Sequence, residues 1–181
     1  MVPPPVGLAG RRHQIPVVTA IVGPSFGGSS FISGLSDFVV QVDGTCLAVT
    51  SPNVIEVATG EAVSMEELGG TRVHSKRTGQ VDQTVETAAQ AHEAIRKFLS
   101  YLPSNAWSRA PRANPSPRVH NPALSEIVPQ DRRKSYDIRD LIGAITDESS
   151  FFELGGGFAR SLVTGLGHID GHPVGILANQ P

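Results

Sequence analysis

A chain of 181 residues with 39% hydrophobic residues has room for one ordinary domain or two partial ones. Its formal net charge of -2 gives no electrostatic case for a nucleic acid or a membrane surface as partner, and no run approaches the roughly 20 apolar residues of a membrane span. The single cysteine, Cys46, excludes an internal disulfide and fits a cytosolic or organellar-matrix compartment.

Met1 to Gln14 does not read as a secretory signal, because its short apolar part is broken by prolines and precedes the arginines. Ile15 to Val22 is apolar and β-branched, and predicts a buried strand. Gly23-Pro24 breaks it, and Ser29 to Leu35 spaces Phe31, Ile32 and Leu35 as a helix does. Gly27-Gly28 stands at that helix entrance, where backbone N–H groups lack intrahelical partners. Glycines there let a substrate approach the backbone with no Cβ in the way, which is how a protein holds an oxyanion without a charged side chain. On pattern alone a purely structural tight turn explains the segment better. It is neither a Walker loop nor the dinucleotide fingerprint, since it lacks the Gly-Lys-Ser/Thr ending of the one and the glycine spacing of the other.

Asp37 to Val42 and Cys46 to Thr50 predict short strands around an Asp43-Gly44 turn. Cys46, inside an apolar run, reads as a buried inert thiol. Pro52 suits the first position of a helix over Asn53 to Ala58, which Gly60 ends. Ser64 and Glu67 fit a capping box, with Gly69-Gly70 as the stop. Thr71 to Gly79 reads as an exposed loop. Its His74 suits a solvated loop histidine better than a general base, and its Arg72, Lys76 and Arg77 suit an ordinary charged loop better than a phosphate clamp. Val81 to Glu86 predicts a short strand. Thr87 to Leu102 predicts a helix with Ala88, Ala91, Ala94, Ile95, Phe98 and Leu102 on one face, ended by Pro103. Prolines recur from 103 to 135, as in an extended linker or a surface-wrapping arm. A second unit begins at Tyr136, with a helix over Asp137 to Ile145 and a strand over Phe151 to Leu154. A hairpin over Leu162 to Ala178 follows, turning at Asp170-Gly171. With about 50 residues this unit is too small for a convincing core of its own. His168 and His172 flank the hairpin turn and read as a polar tip, not a metal pair. Asp37 and Asp43 read as turn and cap residues.

Several stretches in order resemble the carboxyltransferase (β) subunit of biotin-dependent acyl-CoA carboxylases. They are GPSFGGSSFISGLSDFVVQVDGT, TSPNVIEVATGEAVSMEELGGTRVHSKRTGQVD, FLSYLPSN, YDIRDLI, FFEL and VTGLGHIDGHPVGILANQP, together covering most of Ile15 to Pro181. The resemblance implies an α/β fold of the crotonase-like (ClpP/crotonase) type, built from ββα units. It divides the chain into the end of a first carboxyltransferase domain (1–102), a proline-rich connector (103–135) and the start of a second domain (136–181), an internal piece of a longer protein. It implies transfer of a carboxyl group from carboxybiotin to the α-carbon of a short acyl-CoA through an enolate held by backbone amides. Biotin is then the cofactor, carried on a partner protein, and no metal is needed in this subunit. Gly27 and Gly28 fall where the family places the amides that hold the acyl-CoA oxygen. Ser25, Phe26, Ser29 and Phe31 fall beside them on the substrate side, with Phe31 where many members carry a tyrosine. The implied partners are acyl-CoA, the biotin carboxyl carrier or biotin carboxylase subunit, and further copies of the full-length subunit. The implied location is cytoplasmic, or the mitochondrial matrix in a eukaryote. The family's second oxyanion hole has no counterpart before Pro181, so the 181-residue chain alone is expected to be inactive and prone to self-association. Two rival readings stay open, a truncated non-catalytic remnant and another crotonase-fold CoA enzyme such as a hydratase.

Overall fold

In the computed structural model, which describes residue 10 and residues 14–115, 124–131 and 133–181, the apolar runs of the first hundred residues form a parallel sheet in the order β1-β3-β5. These strands are β1 (Val18–Ile21), β3 (Phe38–Val42) and β5 (Gln83–Val85). The central strand β3 is buried along its whole length, as a parallel strand covered on both faces must be. Val18 pairs with Phe38 and Val42 with Val85. Asp37 pins the start of the β1–β3 pair: its carboxylate accepts from the Val17 N–H at 2.9 Å and its own N–H donates to Val17 O at 2.7 Å. A second small parallel pair joins β2 (Ser25–Phe26) to β4 (Leu47–Ala48). Neither two-residue strand has enough length to show a period.

The helix Ala88–Leu99 covers one face of the sheet. Thr87 caps it with a reciprocal capping box to Gln90, and Ala91, Ala94 and Phe98 point inward. The Phe98 ring stacks on Phe38 at 4.7 Å. The other face is filled by Ile21, Val39, Leu47 and Val81.

The second unit carries the helix Ile138–Ile145, whose Asp137 cap accepts from the Arg139 N–H, and the antiparallel sheet β6-β7-β8. The strands are β6 (Phe152–Leu154), β7 (Leu162–Ile169) and β8 (His172–Asn179). The hairpin turns at Asp170-Gly171, with φ of 53° and 75°, the pair of positive values that a two-residue type I′ turn demands. Ile138, Ile142 and Val163 form a small core there. Phe152 instead joins the core of the first unit, 5.7 Å from the Phe38 ring and 6.2 Å from that of Tyr101. The Tyr101 hydroxyl donates to Ser150 O, and its ring stacks on His168 at 4.6 Å. The proline-rich arm runs along this surface: Ala106 N–H donates to Gln14 O at 2.8 Å and Ala113 N–H to Gly171 O at 2.9 Å. It also contains a short helix, Leu124–Ile127. Pro117 and Pro122, and Met1 to His13 apart from residue 10, lie outside the described residues.

Two expectations are corrected. Thr71 to Gly79 is not an exposed loop. It is a short helix, Thr71–Val73, running into a π-helical turn, His74–Thr78. Charge and lack of apolar period made it read as a loop. It is helical because Gly69 lets its backbone close onto Leu47, where a Cβ would collide with the Leu47 carbonyl, and because Thr71 is buried. His168 is not part of a polar tip. It is 7% exposed, one pair inward from the turn, while His172 is exposed. No helix among the described residues is long and apolar enough to cross a membrane.

Candidate functional site

The glycine turn is built by β2 pairing with β4. Ser25 pairs with Leu47 and Phe26 with Ala48, and the Ser25 N–H donates to Cys46 O at 2.7 Å. The next amide continues this ladder, because the Gly27 N–H donates to Val49 O at 2.9 Å. Gly27 has φ 65° and ψ -126°, a combination that L side chains rarely adopt. That kink turns the chain from strand into the helix Gly28–Gly34. The Gly27 carbonyl accepts from both the Ser30 N–H at 3.0 Å and the Ser30 hydroxyl at 2.7 Å, so the turn is tied from both sides.

Gly28 and Ser29 follow as the first two helical residues, both exposed. Among the described residues neither N–H has an acceptor. Apart from its chain neighbours and the helix's own backbone, no described atom lies within 4 Å of where a Cβ on Gly28 would stand, so the backbone can be approached from that side. The two amides expected as a pair are therefore unequal: that of Gly27 is spent on Val49, and that of Gly28 is free. The Ser29 hydroxyl accepts from Ser25 Oγ at 2.8 Å and donates to Phe26 O at 2.9 Å, which binds Ser25, Phe26 and Ser29 into one local net. Phe31 lies one turn on from Gly28, 56% exposed.

His74 is half-buried, and both of its ring nitrogens have partners. Its Nε2 lies 2.6 Å from Leu47 O and its Nδ1 3.0 Å from Thr78 Oγ1. Arg72, Lys76 and Arg77 come together with Glu66 and Glu67 around a cavity of about 430 Å3, and none of the three is held in an ion pair among the described residues. Cys46 is fully buried, and burial first, then the nearby Glu66 carboxylate, pushes its thiol pKa up, which keeps it an inert core thiol. Among the described residues His168 Nε2 is buried without a partner, and burial, reinforced by Lys97, pushes its pKa down. Among the described residues no group of three His, Cys, Asp or Glu side chains is placed to hold a metal.

Sequence reasoning missed the Val49 carbonyl, because backbone pairing of two-residue strands leaves no pattern. It also missed the clamp made by His74. The signal that pointed there was the Gly69-Gly70 doublet, read only as a helix stop.

A family model described as a carboxyl transferase domain matches residues 9–181. The chain is 42% identical over 170 residues to a propionyl-CoA carboxylase carboxyltransferase subunit of Haloferax mediterranei, covering 92% of this chain and 33% of that protein. It is 38% identical over 168 residues to the methylmalonyl-CoA carboxyltransferase 12S subunit of Propionibacterium freudenreichii subsp. shermanii, covering 92% of this chain and 32% of that one. A solved transcarboxylase 12S structure, described as a hexamer with methylmalonyl-coenzyme A bound, superposes with a TM-score of 0.92 at 35% identity. That match covers 98% of this chain and 35% of the other. The likeness carries the crotonase-like α/β fold expected above. The chain spans about a third of the length of the curated relatives it matches.

Proposed function

The chain belongs to the carboxyl transferase domain family, and on that premise we propose that the protein is the carboxyltransferase component of a biotin-dependent acyl-CoA carboxylase. In this reading it moves a carboxyl group onto the α-carbon of a short acyl-CoA. Carboxybiotin, delivered on a partner carrier protein, supplies that group. The 181-residue chain by itself is not expected to turn over. We further propose that 1–102 is the end of a first carboxyltransferase domain, 103–135 a connector and 136–181 the start of a second.

The observation that carries the site is a Gly28 amide with no acceptor among the described residues, on a backbone open to approach at the Cβ side. Removing a proton from the α-carbon of a thioester throws negative charge onto the carbonyl oxygen. An N–H already fixed in place stabilises that oxygen without reorganising during the step. The backbone just before Gly28 is fixed, because the Gly27 N–H is anchored to Val49 O and the Gly27 carbonyl is tied to Ser30. Gly27 is thus the anchor of the turn, and Gly28, with Ser29 next to it, supplies the donors. Phe31 offers an apolar surface on the same side of the helix.

The test uses the full-length subunit with its biotin carrier, and Gly28→Val. Gly28 does not have a positive φ and has no atom in the way, so the fold accepts the side chain. Carboxyl transfer should fall by roughly 10²–10³ as the side chain covers the amide, the loss typical of one oxyanion donor. The thermal midpoint should stay within a few degrees. Unchanged turnover would remove Gly28 from the mechanism. Failure of the wild-type complex to carboxylate any short acyl-CoA would remove the functional reading.

A further inference from the structure

On the premise that the Gly27–Gly28 turn is the oxyanion site, we propose that His74 is its positioning residue, acting through β4. A carbonyl oxygen only accepts, so His74 Nε2, 2.6 Å from Leu47 O, carries its hydrogen there. In a neutral ring Nδ1 is then an acceptor, and the Thr78 hydroxyl at 3.0 Å is the group that donates to it. Both nitrogens are spent on holding, and no lone pair is left to take a proton from a substrate. Leu47 is the register partner of Ser25, and two residues further along the same segment Val49 O receives the Gly27 N–H. A ring that fixes Leu47 O therefore fixes the acceptor that anchors the glycine turn.

The π-helical form of His74–Thr78 belongs to this arrangement. Such turns are rare and concentrate at functional sites. Here the turn reaches the second unit on its other side. A Cβ on Gly157 would stand 2.7 Å from Ser75 O, and a Cβ on Gly79 would stand 2.6 Å from the Phe158 ring. The turn is a strut between β4 and the loop of Gly157 and Phe158. His74 is its attachment to the β4 end, so seating of the second unit is transmitted to the amide of Gly28.

The experiment compares His74→Leu, His74→Gln and Thr78→Val in the full-length subunit with its carrier. Leu removes the donor, Gln can reach Leu47 O with its amide N–H, and Val keeps that donor while removing the Nδ1 partner, together with the acceptor of the Gln80 N–H. Two readouts are taken. One is hydrogen exchange of peptides covering Val22 to Phe31. The other is kcat and KM for the acyl-CoA. His74→Leu should speed exchange of the Gly27 region by roughly tenfold through local opening. It should lower kcat by roughly tenfold to a hundredfold with KM nearly unchanged, the pattern of a misplaced donor. His74→Gln should recover most of both losses, and Thr78→Val should fall between. Should His74→Leu fail to fold, Thr78→Val carries the same comparison. Unchanged exchange in the Gly27 region overturns the positioning role whatever happens to turnover. Altered exchange with unchanged kcat overturns it as well, and places the fault in the assignment of the turn as the oxyanion site.

Discussion

Phe152→Ala separates two pictures of the molecule. Phe152 belongs to the second unit by sequence, yet it is only 8% exposed and sits among Phe38, Phe98 and Tyr101 of the first. Truncating a buried phenylalanine to alanine costs about 3–5 kcal/mol, and the upper end applies where neighbours cannot collapse into the gap. Here one neighbour is a stacked pair, Phe38 on Phe98 at 4.7 Å, and another, Tyr101, is tethered by its hydroxyl to Ser150 O. Collapse is restricted, so the cost belongs near the top of that range. For a chain of this length a cost of about 5 kcal/mol corresponds to a fall of roughly 10–20 °C in thermal midpoint. Circular dichroism gives the midpoint, and hydrogen exchange gives the location. Peptides from Ala88 to Tyr101 should exchange faster, because Phe98 and Tyr101 line the hole. Ile142→Ala, in the separate core of the second unit, should leave those peptides slow. If Phe152→Ala loosens only residues after 136, the shared core is wrong.

Three further outcomes follow from particular residues. Gly27→Ala should cost about 1–3 kcal/mol although no atom obstructs the methyl, because the strain is all in the φ of 65°; an unchanged urea midpoint would contradict the turn geometry. The buried His168 has its folded pKa depressed, so its stabilising contribution is whole above the unfolded value of about 6.5 and is lost as pH falls through the folded pKa. Urea midpoints should therefore drop on acidification, and His168→Phe should flatten that part of the slope; equal slopes would refute the assignment. The helix Pro52–Thr59 buries none of its residues and leaves Val57 90% exposed, so the isolated chain should self-associate, and a clean monomer by light scattering would count against it.

Much of the fold was legible because local chemistry and tertiary structure agree. Ser64 with Glu67 and Thr87 with Gln90 form reciprocal capping boxes, and both helices start at them. The Asp170-Gly171 doublet turns the hairpin, and Ala91, Ala94 and Phe98 of the expected apolar face are buried, while Ala88 is exposed and the helix stops at Leu99, short of Leu102. Where local signal and tertiary contact disagree, contact wins. Thr71 to Thr78 has the composition of a solvated loop, yet it is helical, because Gly69 permits a backbone approach and His74 completes it. His168 has the composition of a tip, yet it is buried, because Tyr101 offers a flat ring at stacking distance.

The glycine turn shows why a motif locates a site without giving its working parts. GPSFGG marks where the backbone can be approached, since that follows from the missing Cβ atoms. Which amide is free depends on Val49 O, a carbonyl one residue past a strand two residues long whose side chains say nothing of its pairing. The position of that carbonyl depends in turn on His74, placed by a π-helical turn that no apolar period announces. Each step away from the glycines moves from side-chain pattern to backbone geometry, and the sequence signal fades at the same rate. Gly27 and Gly28 are adjacent and chemically identical, yet Gly27 is needed for its φ, while Gly28 is proposed to serve through its N–H. Substituting each by alanine should therefore damage different properties, stability at Gly27 and turnover at Gly28. That division rests on the backbone geometry of the turn together with the proposed oxyanion role, and not on the doublet.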